Sequence, residues 1–412
     1  DPALIGAVAV GAILFDIVFA AFNFLRSGTT GLVAQALGAD NQVEVRASLV
    51  RALIIAVVAG LLMVGLQGPL TTLGLKGMGT SAAVGEATAT YLTIRFYAVP
   101  FGLANYAILG WFLGLGKAGT GLFLQVFLNT LNMTLNVILV LVFDWGIAGV
   151  AWGTAIGECA TALVGLALIF HQTGARDWPS RRVIGDWSQF KRLAALNGDI
   201  MIRSVALLFV YFFFTAQSAR ADDVTLAANA VLMHFFHLAS YFLDGFATAA
   251  EQLAGRAVGA RYRPAFDKTV LATLTFGGLV SIVLAAGFWM AGPFFIDLMT
   301  ASEPVRETAR IYLPWAVLTP LAAVLAFQMD GIFIGATWSR DMRNMMLVSI
   351  TIYLAAWWVL IEPFGVHGLW MALLIFLAAR GVTLALMCPG RARRTFRNGA
   401  VTNQEKSRPD PS

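Results

Sequence analysis

Charge is what this sequence has least of. Only 12% of its 412 residues are Asp, Glu, Lys or Arg, against roughly a quarter in soluble domains. With a mean hydropathy of +0.75, that scarcity excludes a water-soluble enzyme. Cysteine is nearly missing as well: Cys159 and Cys388 sit in or beside apolar runs, so neither a disulfide framework nor a thiolate metal site follows. CxxC pairs, HExxH, a Walker A loop and GxSxG are all absent, which removes the usual starting points for zinc, nucleotide and serine-hydrolase chemistry. The start of the chain carries no cleavable signal pattern.

Apolar length is what the sequence has in quantity. A spanning helix needs about 20 mostly apolar residues, and such runs lie near 3–27, 48–68, 87–110, 118–142, 147–170, 194–218, 225–250, 268–291, 307–336, 344–361 and 366–387. The runs are continuous, as in LIIAVVAGLLMVGL (53–66), whereas strands of a membrane barrel alternate. The expectation is therefore an all-α membrane protein with eleven visible spans. Lys and Arg concentrate in alternate connections, including Lys117, the 176–192 stretch, the 256–268 stretch, Arg340 and Arg343, and the tail from Arg391 to Arg397. By the positive-inside rule these are cytoplasmic. The formal net charge of +5 thus belongs to the inner leaflet of a multi-pass plasma (inner) membrane protein, not to a nucleic-acid patch.

The basic connection 171–193 reads as a link between halves, and the halves repeat. GLVAQALGA (31–39) aligns with QLAGRAVGA (252–260) at an offset of 221, which also pairs Asp1 with Asp222, Glu86 with Glu307, Tyr91 with Tyr312, Gly110 with Gly331 and Gly114 with Gly335. The expected organisation is an N-terminal lobe over 1–170, the linker 171–193, a C-terminal lobe over 194–388, and a basic disordered tail over 389–412. On this register the helix 194–218 has no partner in the first half. We expect a twelve-helix parent with two six-helix lobes related by a pseudo-twofold along the membrane normal, its first helix lost here.

FLRSGTTGLVAQALGA (24–39), LDGFATAAEQLAGRAVG (243–259) and MDGIFIGATWSRDMRN (329–344) resemble the multidrug and toxic compound extrusion (MATE) transporters, in particular their DinF-like branch. The resemblance implies a monomeric exporter of small hydrophobic or cationic compounds, without a cofactor. H⁺ or Na⁺ re-entry would drive it, through rocking of two lobes in the lipid bilayer.

Polar groups inside apolar spans are functional candidates by default. Asn129, Asn132 and Asn136 form one stripe at helical spacing, and Thr154 on the next span lies at the depth of Asn136. The resemblance places Asn132, Asn136 and Thr154 at the polar cluster of the family's N-terminal lobe. Asn136 replaces an acid there and cannot carry a proton near neutral pH. Asp16 sits mid-span and aligns with His237 in the repeat. In the second half, Asp244 and Glu251 are seven apart on one helix face, Asp330 lies toward the cytoplasmic end of its span, and Asp199 precedes Arg203 by four residues, the favourable order for an ion pair. A carboxylate cluster with a single Arg suits a proton, Na⁺ or an organic cation, and the resemblance assigns Asp330 a coupling role. A lipid or lipid-linked-saccharide flippase of the same superfamily is the alternative, and it would require several deep arginines. A membrane enzyme would need a nucleophile or metal cluster that the spans lack, and a structural scaffold would leave paired intramembrane carboxylates without a purpose.

Overall fold

Backbone that spans hydrocarbon must satisfy its hydrogen bonds within the segment, and apolar runs of this length do so as helix. The computed structural model describes residues 2–20, 22–78, 82–174 and 178–406, and among them every long element is helical. In chain order these are α1 (Pro2–Ala20), α2 (Phe24–Gly38), α3 (Gln42–Gly65), α4 (Gln67–Met78), α5 (Ala82–Gly114), α6 (Ala118–Val137) with a π turn over Ile138–Val142, and α7 (Gly146–Thr173). There follow α8 (Arg181–Ile184), α9 (Trp187–Ala221), α10 (Asp223–Gly259), α11 (Arg263–Met299), α12 (Glu303–Gly335) and α13 (Ser339–Lys406).

Nine helices among the described residues are long and apolar enough to cross a membrane, against the eleven expected. The difference arises in two places. The expected span 3–27 is divided: α1 ends at Ala20 and α2 starts at Phe24. The expected spans 344–361 and 366–387 both lie in the 68-residue α13, which breaks at Gly365, where φ is 53° and ψ −129°. Only glycine takes that conformation readily. Beyond 388, where an irregular tail was expected, α13 continues, with Ala392 buried and Phe396 packed 5.6 Å from Phe266.

The repeat is visible in the element boundaries. α1 and α2 together cover 2–38 and α10 covers 223–259 (223 − 2 = 221; 259 − 38 = 221). α3 with α4 correspond in the same way to α11, α5 to α12, and the start of α6 to the start of α13. Left-handed backbone recurs at the same offset: Asp40 and Arg261 at φ 53°, Gly116 at 75° and Thr337 at 57°, Asp144 at 54° and Gly365 at 53°. A non-glycine residue there is strained by on the order of 1–2 kcal/mol, so Arg261 and Thr337 are held by the turns that flank them.

The chain forms two compact units, Asp1–Leu37 with Asn41–Asn197, and Gly38–Asp40 with Gly198–Ser412. In the first, Phe15, Leu92, Phe96, Val99 and Leu103 make the core of α1, α3, α5 and α7. Arg51 of α3 holds the α7–α9 connection, donating to the carbonyls of Val183 (2.6 Å) and Ile184 (3.3 Å) while paired with Glu44. In the second, Phe214, Phe236, Tyr353, Trp370 and Phe376 interlock, with Phe214 edge-on to Trp370 at 5.0 Å. Lipid gives helices no hydrophobic drive to associate, so small residues and close backbones do the work. Gly331 and Gly335 of α12 lie against the carbonyls of Ala247 and Glu251 on α10, and Gly110 and Gly114 of α5 repeat the contact on Arg26 and Thr30 of α2.

Asp222 caps α10 outside the spans, accepting from the Thr225 amide and hydroxyl, both at 2.7 Å. The hydroxyl bond first, then the amide bond, hold its carboxyl below the usual carboxylate range. The cap is therefore complete above pH ~4 and is lost as pH falls through the lowered value. Hydrogen exchange at the Thr225 amide should show protection that disappears on acidification, and none at any pH in Asp222→Ala.

Candidate functional site

In the first unit, the α6 stripe meets α7 as its spacing suggested. Asn132 Nδ2 donates to Thr154 Oγ1 at 2.7 Å, and Asn136 Nδ2 donates to Asn132 Oδ1 at 3.1 Å. Thr154 Oγ1 in turn donates to the carbonyl of Val150, 3.1 Å away. Gly153 makes room for Asn136, whose Oδ1 is buried with no hydrogen-bond partner among the described residues. Asn129 is exposed and stands apart from this chain of bonds. The side chain of Asp16 lies outside the described residues.

A second polar centre of this unit had not been expected from the sequence. Glu158 of α7 is 7% exposed and Arg95 of α5 6%. Arg95 Nη1 donates to Glu158 Oε1 at 3.0 Å, and the guanidinium stacks 4.1 Å over the Phe15 ring. Asn105 Nδ2 anchors the backbone carbonyl of Glu158 at 2.9 Å. Glu158 Oε2 and Arg95 Nε are buried without a partner among the described residues. The signal was available: each is a lone charge in an apolar run, the feature that marked Asp330.

In the second unit, Asp330 of α12 is buried, and its Oδ2 accepts from two guanidiniums: Arg203 Nη1 of α9 at 2.5 Å and Arg380 Nη2 of α13 at 2.6 Å. This corrects two expectations. Arg203 does not pair with Asp199, because α9 turns it toward α12, while Asp199 accepts from Arg343 Nη1 at 2.6 Å and from the Ser339 hydroxyl at 2.8 Å. The cluster around Asp330 is also not net negative, since two arginines share one carboxylate and leave one positive charge in excess. Arg380 Nε, Arg380 Nη1 and Arg203 Nε are buried without partners among the described residues. On α10, Glu251 is buried but Asp244 is exposed, so the shared face does not give the two acids a shared environment.

Tyr211 lines a cavity of about 240 Å³ with Asn229, His234 and His237. Trp370 Nε1 donates to Asn229 Oδ1 at 2.9 Å, and Asn229 Nδ2 donates to Ser218 at 2.8 Å, fixing the polar wall. Drug-sized pockets run to roughly 300–1,000 Å³, so this cavity suits part of a ligand.

The sequence and its helical fold match known proteins. A family model described as MatE matches residues 1–138 and 200–358. The chain belongs to the MatE family. It is 38% identical over 405 residues to DNA damage-inducible protein F of Escherichia coli (strain K12), covering 97% of this chain and 86% of that protein. It is 24% identical over 427 residues to the probable multidrug resistance protein NorM of Bacillus anthracis, covering 96% and 89%. Its fold superposes on the crystal structure of MATE in the bent conformation with a TM-score of 0.87 at 17% identity, covering 97% of this chain and 90% of that one. MatE relatives are transporters, so the expectation of an integral membrane protein that is not an enzyme agrees with the family.

Proposed function

We propose that this MatE chain is a secondary active multidrug exporter of the inner membrane, exchanging its substrate for H⁺ by alternating access, with a cytoplasmic C-terminus and a monomeric state. The observation that carries the reading is Glu158, a carboxyl buried within a spanning helix, with one oxygen on Arg95 and the other without a partner among the described residues. Such a group is expensive in hydrocarbon and is the kind of acid that proton-coupled carriers use. Protonation of Glu158 would loosen Arg95, and the Asn132–Asn136–Thr154 chain in the same unit offers neutral donors and acceptors for a polar ligand.

Substrates would be hydrophobic, in keeping with the multidrug name of the Bacillus relative. An organic cation would be served by the exposed carboxylate of Asp244, not by Asp330, whose two arginines repel it. Those arginines favour a second reading, a lipid or lipid-linked-saccharide flippase, because they bring the deep arginines to three, Arg95, Arg203 and Arg380.

Dye efflux from proteoliposomes under separate pH and Na⁺ gradients tests both. We expect pH-driven efflux that falls to background in Glu158→Gln, which keeps the shape and loses the titrating group, and a smaller loss for organic cations alone in Asp244→Asn. Efflux driven by Na⁺ and indifferent to Glu158→Gln would replace H⁺ with Na⁺ coupling. Movement of labelled phospholipid without dye efflux would favour the flippase.

A further inference from the structure

Away from the buried centres, the turn between α10 and α11 and the C-terminal part of α13 line an open surface cavity of about 600 Å³. Arg261, Tyr262 and Arg263 come from the turn, and Arg393, Arg394 and Arg397 from α13. We propose that this cavity binds the phosphate headgroup of an anionic phospholipid of the inner leaflet.

The walls are built, not incidental. Phe266, at the start of α11 and 1% exposed, packs against Phe396 at 5.6 Å and Trp338 at 5.7 Å, which ties the two walls together across the fold. Arg391 is ion-paired with Asp341 one turn before the cavity, fixing α13 at its foot. Five guanidiniums therefore gather on an ordered frame. The acid nearest in sequence, Asp267, is half given over to solvent and bridges Arg263 at 3.4 Å. Guanidinium forks match phosphate oxygens in pairs, and on the proposed topology, on which this inference rests, the turn faces the cytoplasm, where a basic pocket between helices meets anionic headgroups.

The repeat separates this feature from a general requirement of the fold. The corresponding turn of the first half, 38–42, reads GADNQ and has the same φ of 53° at Asp40 as the second has at Arg261. One turn geometry thus carries an acid in one half and arginines in the other. Tyr262, 59% exposed, adds an aromatic ring to the lining, the residue type enriched at membrane–water boundaries.

The full-length protein in phosphatidylcholine nanodiscs, titrated with phosphatidylglycerol and read by native mass spectrometry, tests the proposal. We expect the triple variant Arg393→Gln, Arg394→Gln, Arg397→Gln to weaken retention of phosphatidylglycerol by about a hundredfold. Removing equal charge at Arg181, Arg182 and Arg192 should leave retention unchanged. Since a triple change could disturb α13, Arg261→Gln with Arg263→Gln removes the opposite wall and should weaken retention as well. Equal losses in the 181–192 control would overturn the site in favour of diffuse attraction. Inorganic phosphate that displaces the lipid at equal concentration would overturn the lipid in favour of a soluble anion.

Discussion

Asp330→Asn should remove most of the folded protein from a detergent extract. The substitution leaves the side-chain shape intact but strips the shared charge from Arg203 and Arg380, whose side chains are 15% and 4% exposed. Long basic side chains near a helix end can reach the interface and relieve themselves, yet Arg380 is shut in, with Nε and Nη1 already lacking partners among the described residues. Removing one partner of a buried ion pair costs roughly 3–5 kcal/mol because the other charge stays behind. Arg380→Met should be far milder, at ~1 kcal/mol or less, since it leaves Asp330 and Arg203 as a neutral pair and deletes two unsatisfied donors. The double variant should recover stability relative to Asp330→Asn alone, which is the coupling that a mutant cycle reads. Unfolding midpoints by fluorescence-detected gel filtration across the four proteins give the answer. Equal losses in the two single variants would mean that the guanidiniums are not balanced by Asp330.

What the sequence made legible follows physical range. The helical class was legible because hydrocarbon leaves the backbone no alternative, and the repeat was legible because the turns at Asp40 and Arg261, or Gly116 and Thr337, recur with the apolar runs they join; the division of 3–27 and the continuation of α13 past 388 were not. The Asn132–Asn136–Thr154 contact was legible because two of its members are one helical turn apart and the third sits at the same depth on the next helix. Arg203 was misassigned because an i,i+4 spacing shows only that Asp199 could be reached. Whether it is depends on α12, α13 and the partners they bring from more than a hundred residues away, Asp330 to Arg203 and Arg343 to Asp199. Glu158 and Arg380 were within reach of the rule that found Asp330, for each interrupts an apolar run. Their partners, Arg95 and Asp330, were not, since nothing local ties α5 to α7 or α12 to α13. Asp244 shows the converse limit: a helix face is one direction, but over a 37-residue helix that direction meets different neighbours at different depths.

The packing of α10 against α12 leads to the second large effect. A Cβ at Gly331 would lie on the carbonyl oxygen of Ala247, and one at Gly335 on that of Glu251, both well inside van der Waals contact. A backbone carbonyl cannot turn away as a side chain can, so alanine at either position forces the helices apart. Overpacking of this kind costs roughly 1–3 kcal/mol, and Gly331→Ala with Gly335→Ala should cost less than the sum, because one separation relieves both clashes. Gly278 of α11 has nothing within 4 Å of its would-be Cβ, and Gly278→Ala should stabilise slightly, by ~0.5–1 kcal/mol, through helix propensity alone. The same unfolding midpoints measure all three, and the sign is decisive: a stabilised Gly331→Ala would show that the close approach is not real. Because Asp330 immediately precedes Gly331, pushing α12 away from α10 also displaces the carboxylate that Arg203 and Arg380 share. Gly331→Ala should therefore lose part of the coupling between Asp330 and Arg380, while Gly335→Ala, one turn further on, should keep more of it. The glycine face and the buried charge centre are in this sense one piece of architecture.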